Sequence, residues 1–306
     1  MHPNIPRIHS DLHSSENKDY HLQFKWNGVD FSWKAENDYR KRRVAKTCDK
    51  WGLTTKSQKL ILNPRNFFYV DDIHGLILCV IPKVGSTSWH KSIVVLTHQW
   101  DRREVMDPHV LYGQLYPDLI KLEKFSEYGI AYRLKHYLKV MFVRHPFERI
   151  VSGYRDKLED PNDGYRHLGK FLLKKYKEKY ITVDKNGTRI PSFGALAQYI
   201  IETDDDLDNH FRQYEKTCLP CQVQYDVIGK FETFNEDAGN VLKLLQADHE
   251  FSFPYSNPSS AVKTSTLVTK YVQTLTKHER QNLWAKYELD ADLFGYTLDK
   301  LFNETS

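Results

Sequence analysis

The chain has no apolar run approaching the ~18–20 residues that a membrane-spanning helix needs. Its first twenty residues are polar and carry no apolar core of a secretory leader. Charge of one sign is also scarce. Across 306 residues, 44 basic and 40 acidic side chains leave a net charge of only +4, which excludes a histone-like polycation and gives no reason to expect a nucleic-acid partner. Cysteine occurs four times, with one C-x-x-C at Cys218 and Cys221 and no spaced histidine pair, so a zinc module is not supported. There is no G-x-x-x-x-G-K-[ST], which excludes the ATP-type phosphate loop. No carboxylate cluster suited to magnesium is apparent, and no internal repeat. What remains is 40% hydrophobic residues, enough to build a core for one generous α/β domain or two small ones.

The most informative stretch is Ile81-Pro82-Lys83-Val84-Gly85-Ser86-Thr87-Ser88. An apolar run, Leu76 to Ile81, stops at a proline; a lysine, a glycine and three hydroxyl residues follow, and then an apolar-periodic segment. The pattern reads strand, tight loop, helix. Such a loop aims backbone N–H groups, hydroxyls and one ammonium at a single point, a site for phosphate or sulfate. The plain alternative is a strand–helix junction whose serine caps the helix.

A second unit repeats the arrangement. Leu138–Val143 is an apolar strand ending at Arg144, and Pro146 suits the first position of a helix. Phe147, Ile150, Val151 and Tyr154 fall on one buried stripe, with Ser152 off it. An arginine at a strand end can fork onto a phosphate, although a lone one more often makes a surface ion pair. Further along, Tyr225–Phe231 reads as a strand and Phe234–Leu245 as a helix, while Leu283, Trp284, Tyr287 and Phe294 follow helical spacing as core residues. Strands alternating with helices predict a parallel sheet with helices on both faces, and ligands in such sheets bind at the carboxyl ends of strands. Lys83 and Arg144 both lie there.

Residues 1–54 read as an N-terminal extension and 55–306 as the main domain. Within the extension, Leu22, Phe24 and Trp26, then Asn27-Gly28, then Val29, Phe31 and Trp33 form the alternating pattern of a β-hairpin. Residues 101–135 are expected to form a lid or acceptor wall, and the lysine-rich stretch 158–192 an insertion. Runs such as Arg40-Lys41-Arg42-Arg43 are solvated faces or guides for a polyanion. The cysteines allow three full pairings; Cys79, inside a strand, is by itself a small buried hydrophobe, and Cys218-x-x-Cys221 suits a redox pair or a local disulfide equally.

Together the two strand–loop–helix units resemble the sulfotransferases that use 3′-phosphoadenosine 5′-phosphosulfate (PAPS). The closer resemblance is to the Golgi carbohydrate sulfotransferases that include chondroitin and dermatan 4-O-sulfotransferases. It extends to Asp208-Asn209-His210-Phe211, Cys218-Leu219-Pro220-Cys221 and Tyr225–Thr233, and covers roughly residues 40–300. A departure is Gly85-Ser86, where the 4-O enzymes often carry Ala-Cys; Gly-Ser or Ala-Ser occurs elsewhere in the superfamily, including heparan 2-O-sulfotransferases.

The resemblance implies a P-loop-like α/β fold and an activity: transfer of sulfate from PAPS to a glycan hydroxyl, with N-acetylgalactosamine O4 of a chondroitin-like chain first and a heparan-type 2-O reaction second. A glycan-binding relic without turnover is the reading from another class. Lys83, Val84, Gly85, Ser86, Thr87 and Ser88 are then expected around the 5′-phosphosulfate, Arg144 and Ser152 at the 3′-phosphate, and Lys263 and Thr264 in a loop closing over the nucleotide. His109 is the expected general base, with His210 second and with Glu148 pairing locally with cations. His90 is expected to face solvent and His145 to pack beside the arginine. No metal is required. The resemblance also favours structural cysteines in the Golgi lumen and a membrane anchor that this sequence does not show; Asn186-Gly187-Thr188 and Asn303-Glu304-Thr305 are sequons that suit such a compartment.

Overall fold

The computed structural model describes residue 26, residues 28–54, 60, 62–63, 66–97, 119–159, 165–176, 178–184, 186–248 and 267–298. In chain order the elements are α1 (Phe31–Lys50), β1 (Phe68–Asp71), β2 (Leu76–Cys79), α2 (Ser86–Leu96), α3 (Glu127–His136), β3 (Leu138–Val143), α4 (Pro146–Tyr154), α5 (Arg166–Lys175), β4 (Ile181–Val183), β5 (Arg189–Pro191), α6 (Phe193–Glu202), α7 (Tyr214–Cys218), β6 (Val227–Lys230), α8 (Phe234–Leu244), α9 (Lys277–Ala285) and α10 (Glu288–Phe294). Among the described residues no helix is long and apolar enough to cross a membrane.

The central sheet runs β1-β2-β3-β6. β2, β3 and β6 are parallel, in the register Leu78–Val140–Val227. β1 pairs antiparallel with β2, so the sheet is mixed and not purely parallel. The four turn residues 72–75, with Asp71 accepting from the Ile73 and His74 N–H groups, make the tight reversal between β1 and β2. All four residues of β1 and of β2 are buried, so neither strand carries an in–out alternation; β2 is wholly apolar and β1 ends in the buried Asp71. One hydrophobic cluster surrounds this sheet. A second gathers Phe147, Ile150, Val151 and Tyr154 with α6 and with Val268, Val272 and Leu283.

The N-terminal hairpin is a correction. Phe31 and Trp33 open a 20-residue helix, because Asp30 accepts a hydrogen bond from Trp33 N and caps its N-terminus. Residues 22–25 and Asn27 lie outside the described residues. α1 then serves edge strand β6. The Asn37 amide donates to Asp226 O at 2.8 Å and its oxygen accepts from Ile228 N at 3.0 Å, which imitates a neighbouring strand. Arg40 donates to Ile228 O and to both oxygens of the buried Asp237, each at 3.0 Å; Asp237 also accepts from Trp33 Nε1, Lys230 N and Thr233 Oγ1.

The cysteines pair as Cys48–Cys221 and Cys79–Cys218. The C-x-x-C is therefore neither a local disulfide nor a redox pair, and Cys79 is not a free buried thiol. One bridge ties α1 to the loop after α7; the other ties β2 to α7.

Candidate functional site

The site is built from the ends of two adjacent parallel strands. β2 leads through Pro82 to Lys83, whose φ of +70° is a left-handed backbone conformation, and then to Gly85 at +73°. These two residues fold the chain back into α2. Gly85 is the N-cap and contributes no side chain to close the helix's N-terminus. That end presents the positive pole of the helix, a feature suited to an anion. Val84 is buried and has only its backbone to offer the loop's concave side, while Thr87 is exposed and Ser86 and Ser88 are half-buried. A Cβ on Gly85 would come within 2.3 Å of the Phe234 ring, so the loop lies directly on α8.

β3 leads to Arg144, which is 4% exposed. Its guanidinium lies 4.1 Å from the centroid of the Phe231 ring. Nη1 donates to Lys83 O at 3.3 Å, and Nε pairs with Glu148 at 3.1 Å. Lys83 and Arg144, 61 residues apart, are thus parts of one site. The Tyr214 hydroxyl accepts from Arg144 N and donates to Arg144 O, at 2.9 and 3.0 Å, and so fixes the backbone from which the arginine extends.

Lys83 Nζ pairs with Asp156 at 2.9 Å. Asp156 lies on Arg155–Glu159, a π turn continuing α4, the kind of helical irregularity that often re-aims functional side chains. Burial pushes its carboxyl up, but the hydrogen bond and charge of Lys83, with Lys157, outweigh burial and hold it below the usual carboxylate value. Glu148, Ser152 and Asp156 recur at i, i+4 and i+8, a polar stripe beside the buried one. Ser152, half-buried on that stripe, lies between the partners of the two cations in sequence. Glu148 pairs locally, as expected. Asp156 was missed, although its spacing from Ser152 was the available signal.

Arg149 was missed too. Buried at 1% exposure, it donates to Pro82 O at 3.2 Å, Arg212 O at 2.7 Å and Asn209 O at 3.1 Å. It clamps the start of the loop to the Asp208–Phe211 segment. There His210 Nδ1 lies 2.9 Å from Asp208 Oδ1 and 2.8 Å from the Tyr165 hydroxyl. Burial raises the Asp208 carboxyl, and the hydrogen bond and charge of His210 more than reverse this, leaving it lowered. Lys157 lies 4.5 Å from the Tyr165 ring centroid and 3.2 Å from Asp156. A contact path therefore runs from Lys83 to His210.

Two histidines differ from expectation. His90 is 7% exposed, edge-on to Tyr69, and does not face solvent; burial, with a smaller contribution from the Lys121 charge, depresses its pKa to about 4. His145 does more than pack: its Nδ1 caps α4 by accepting from Phe147 N, which leaves the proton on Nε2, donated to Thr297 O. His109, Lys263 and Thr264 lie outside the described residues.

A strand–loop–helix turn with an uncapped helix N-terminus and a second cation at the next parallel strand is a geometry suited to an oxyanion in an α/β protein. The family model described as "Sulfotransferase family" matches residues 66–297, and the chain belongs to that family. It is 34% identical to carbohydrate sulfotransferase 9 from Homo sapiens, covering 88% of this chain and 62% of that one. It is 31% identical to carbohydrate sulfotransferase 8 from Mus musculus (84% and 63%) and 32% identical to carbohydrate sulfotransferase 10 from Rattus norvegicus (79% and 69%). The chain thus spans about six tenths of the length of the first two of these relatives. No solved structure matches it.

Proposed function

We propose that the protein transfers the sulfuryl group of PAPS to a hydroxyl of a glycan. The observation that carries this reading is the convergence of Lys83 and Arg144, two cationic residues at the ends of neighbouring parallel strands: Arg144 Nη1 lies 3.3 Å from the Lys83 carbonyl oxygen, beside a helix N-terminus with no side-chain cap. PAPS carries a phosphosulfate and a separate 3′-phosphate, and the site offers one cation to each. Lys83 and the Val84–Ser88 amides and hydroxyls would hold the first; Arg144 and Ser152 would hold the second.

In the reaction an acceptor oxygen forms a bond to sulfur while the bond from sulfur to the 5′-phosphate oxygen breaks. The bonding electrons stay on the leaving phosphate, where Lys83 stabilises them. The acceptor proton goes to a general base, for which His109 is the first candidate and His210, oriented by Asp208, the second. The names of the relatives support a carbohydrate acceptor. N-acetylgalactosamine O4 of a chondroitin-like chain is the acceptor we put first, ahead of a heparan-type 2-O reaction. The two disulfides suit an oxidising compartment, and we place the protein in the Golgi lumen.

The test is transfer of labelled sulfate from PAPS to desulfated chondroitin, dermatan and heparan. Label in one glycan, lost on Lys83→Ala in a protein with unchanged melting, is the expected result. Full transfer by Lys83→Ala would overturn the assigned role of the lysine. Binding of adenosine 3′,5′-bisphosphate (PAP) without transfer to any glycan would leave the relic reading.

A further inference from the structure

A cavity of about 760 Å³ opens between the β4–β5 hairpin, the π turn after α4 and residues 270–279. Lys83, Arg144 and Ser152 do not line it. Its volume is typical of small-ligand sites, which span ~300–1,000 Å³. One wall is aromatic. Tyr154, Phe193 and Tyr271 meet with ring centroids 5.5–5.7 Å apart, and Tyr180 adds a further ring. Tyr154 and Phe193 are buried, while Tyr271 and Tyr180 keep part of their surface open.

The polar groups are unequally committed. Glu159 accepts from the Tyr271 hydroxyl and pairs with Arg155 at 3.4 Å. Glu279 accepts from the Tyr180 hydroxyl and from Thr276 N, each at 2.8 Å. Asp184 accepts from Asn186 N and Thr188 N. Every carboxylate of the lining is therefore satisfied within the protein. Lys270 is exposed on the rim and makes no ion pair with any described residue. Lys179, the other lining lysine, lies 4.4 Å from the Tyr180 ring centroid, so the charged group left uncommitted for a ligand is the Lys270 ammonium, beside part-open tyrosine faces and hydroxyls. That combination suits a sugar ring carrying a carboxylate: its C–H face against a tyrosine, its acid against Lys270.

Position gives the cavity a role. Asp156, which holds Lys83, and Arg155 and Glu159, which line the cavity, belong to one five-residue π turn. The cavity and the reaction centre thus share one helical segment, about 10 Å across, a span that a glycan of several sugars can bridge. We propose that the cavity is a second saccharide subsite, holding a uronate-bearing residue of the acceptor at a distance from the hydroxyl that receives sulfate. The proposal rests on the reading of the donor site given above.

The test is calorimetry of a desulfated chondroitin hexasaccharide with the whole chain, alone and with PAP. Lys270→Glu is expected to weaken hexasaccharide binding about tenfold or more, Lys270→Arg to restore it, and neither to change PAP affinity. Wild-type protein should bind a carboxyl-reduced hexasaccharide as weakly as Lys270→Glu binds the native one. In turnover, KM for the hexasaccharide should rise in Lys270→Glu while KM for 4-nitrophenyl N-acetylgalactosaminide stays constant. No hexasaccharide binding by wild-type protein, equal binding by Lys270→Glu, indifference to carboxyl reduction, or an equal KM change for both acceptors would each overturn the subsite. Failure of the donor reading looks different: wild-type protein would bind no PAP and sulfate neither acceptor, whatever the hexasaccharide does.

Discussion

Gly85→Ala tests how tightly the donor loop is seated. Two costs add. At φ +73° an L-residue is strained by roughly 1–2 kcal/mol. The new methyl would also stand 2.3 and 2.4 Å from two atoms of the Phe234 ring. That ring is 3% exposed and has Phe142 at 5.1 Å, Phe231 at 5.8 Å and Trp89 at 6.5 Å around it, so it has no open side to retreat into. Overpacking of this kind costs roughly 1–3 kcal/mol. The sum, about 2–5 kcal/mol, corresponds to a melting-point loss on the order of 5–15 °C for a chain of this size. PAP affinity should fall as well, because the displaced backbone carries the loop amides. Phe234→Leu on the Gly85→Ala background removes the clash and keeps the φ strain, so the two substitutions should couple favourably by about 1–3 kcal/mol. Denaturant unfolding of the two single variants and the double variant measures that coupling. A Gly85→Ala protein within about 0.5 kcal/mol of wild type, or strict additivity, would refute the reasoning. The outcome also bears on acceptor class, since the 4-O enzymes that the sequence resembles often carry alanine here.

Three further outcomes are expected. Asp156→Asn frees Lys83 from a partly exposed ion pair worth about 0.2–1 kcal/mol; PAP should bind up to about fivefold tighter by calorimetry, and weaker binding would mean that Asp156 positions the lysine more than it competes for it. Arg149→Lys cannot reach all three carbonyls, and with about 1–3 kcal/mol for each buried acceptor left unpaired it should lower stability by about 2–5 kcal/mol and loosen PAP binding through Pro82; unchanged unfolding in urea would contradict the clamp. His90, with its pKa depressed from 6.5 to about 4 by burial, contributes stability that is present above pH 6.5 and lost as pH falls toward 4, on the order of 3 kcal/mol in all; His90→Phe should flatten the stability profile in that window, and an unaltered acid limb would assign it to other groups.

The two strand–loop–helix units of the candidate site were legible because their information is local. An apolar run, a cation and a helix start lie within about fifteen residues at Leu76–Ser88 and again at Leu138–Ser152, and the structure sets Lys83 and Arg144 just past the ends of adjacent strands as the pattern implied. What supports them was not legible, because it depends on which distant segments meet. Tyr214 reaches Arg144 across 70 residues, and Arg149 reaches Pro82 across 67. β1 was missed because a four-residue strand with every side chain buried carries no alternation. The hairpin failed for a physical reason: Trp26, Val29, Phe31 and Trp33 alternate as strands do, but Asp30 captures Trp33 N and starts a helix whose Asn37 and Arg40 have partners waiting on β6. The cysteine pairing was open for the same reason as Tyr214, since each bridge closes more than a hundred residues.

Lys83 and Arg144, the two cations of the proposed donor site, are both held within the protein, and only in part by the same means. Lys83 is held by a carboxylate that is partly exposed, a weak, screened pair that the phosphosulfate of the proposed reaction would have to displace. Arg144 is 4% exposed and also pairs with a carboxylate, Glu148, but is held besides by the Phe231 ring beneath it, the Lys83 carbonyl, and a backbone fixed on both sides by Tyr214. Tyr214 in turn donates its N–H to Asp290 on α10, at 2.8 Å, and Glu215 N donates to the other oxygen. Burial raises the Asp290 carboxyl to about 7 even with both bonds made, so this anchor is retained at a cost to stability. An interaction of that kind makes sense where orientation matters more than folding energy. It sets the arginine's backbone from α10, the last helix among the described residues, and it ties a site built from residues 83–152 to the chain as far as residue 290.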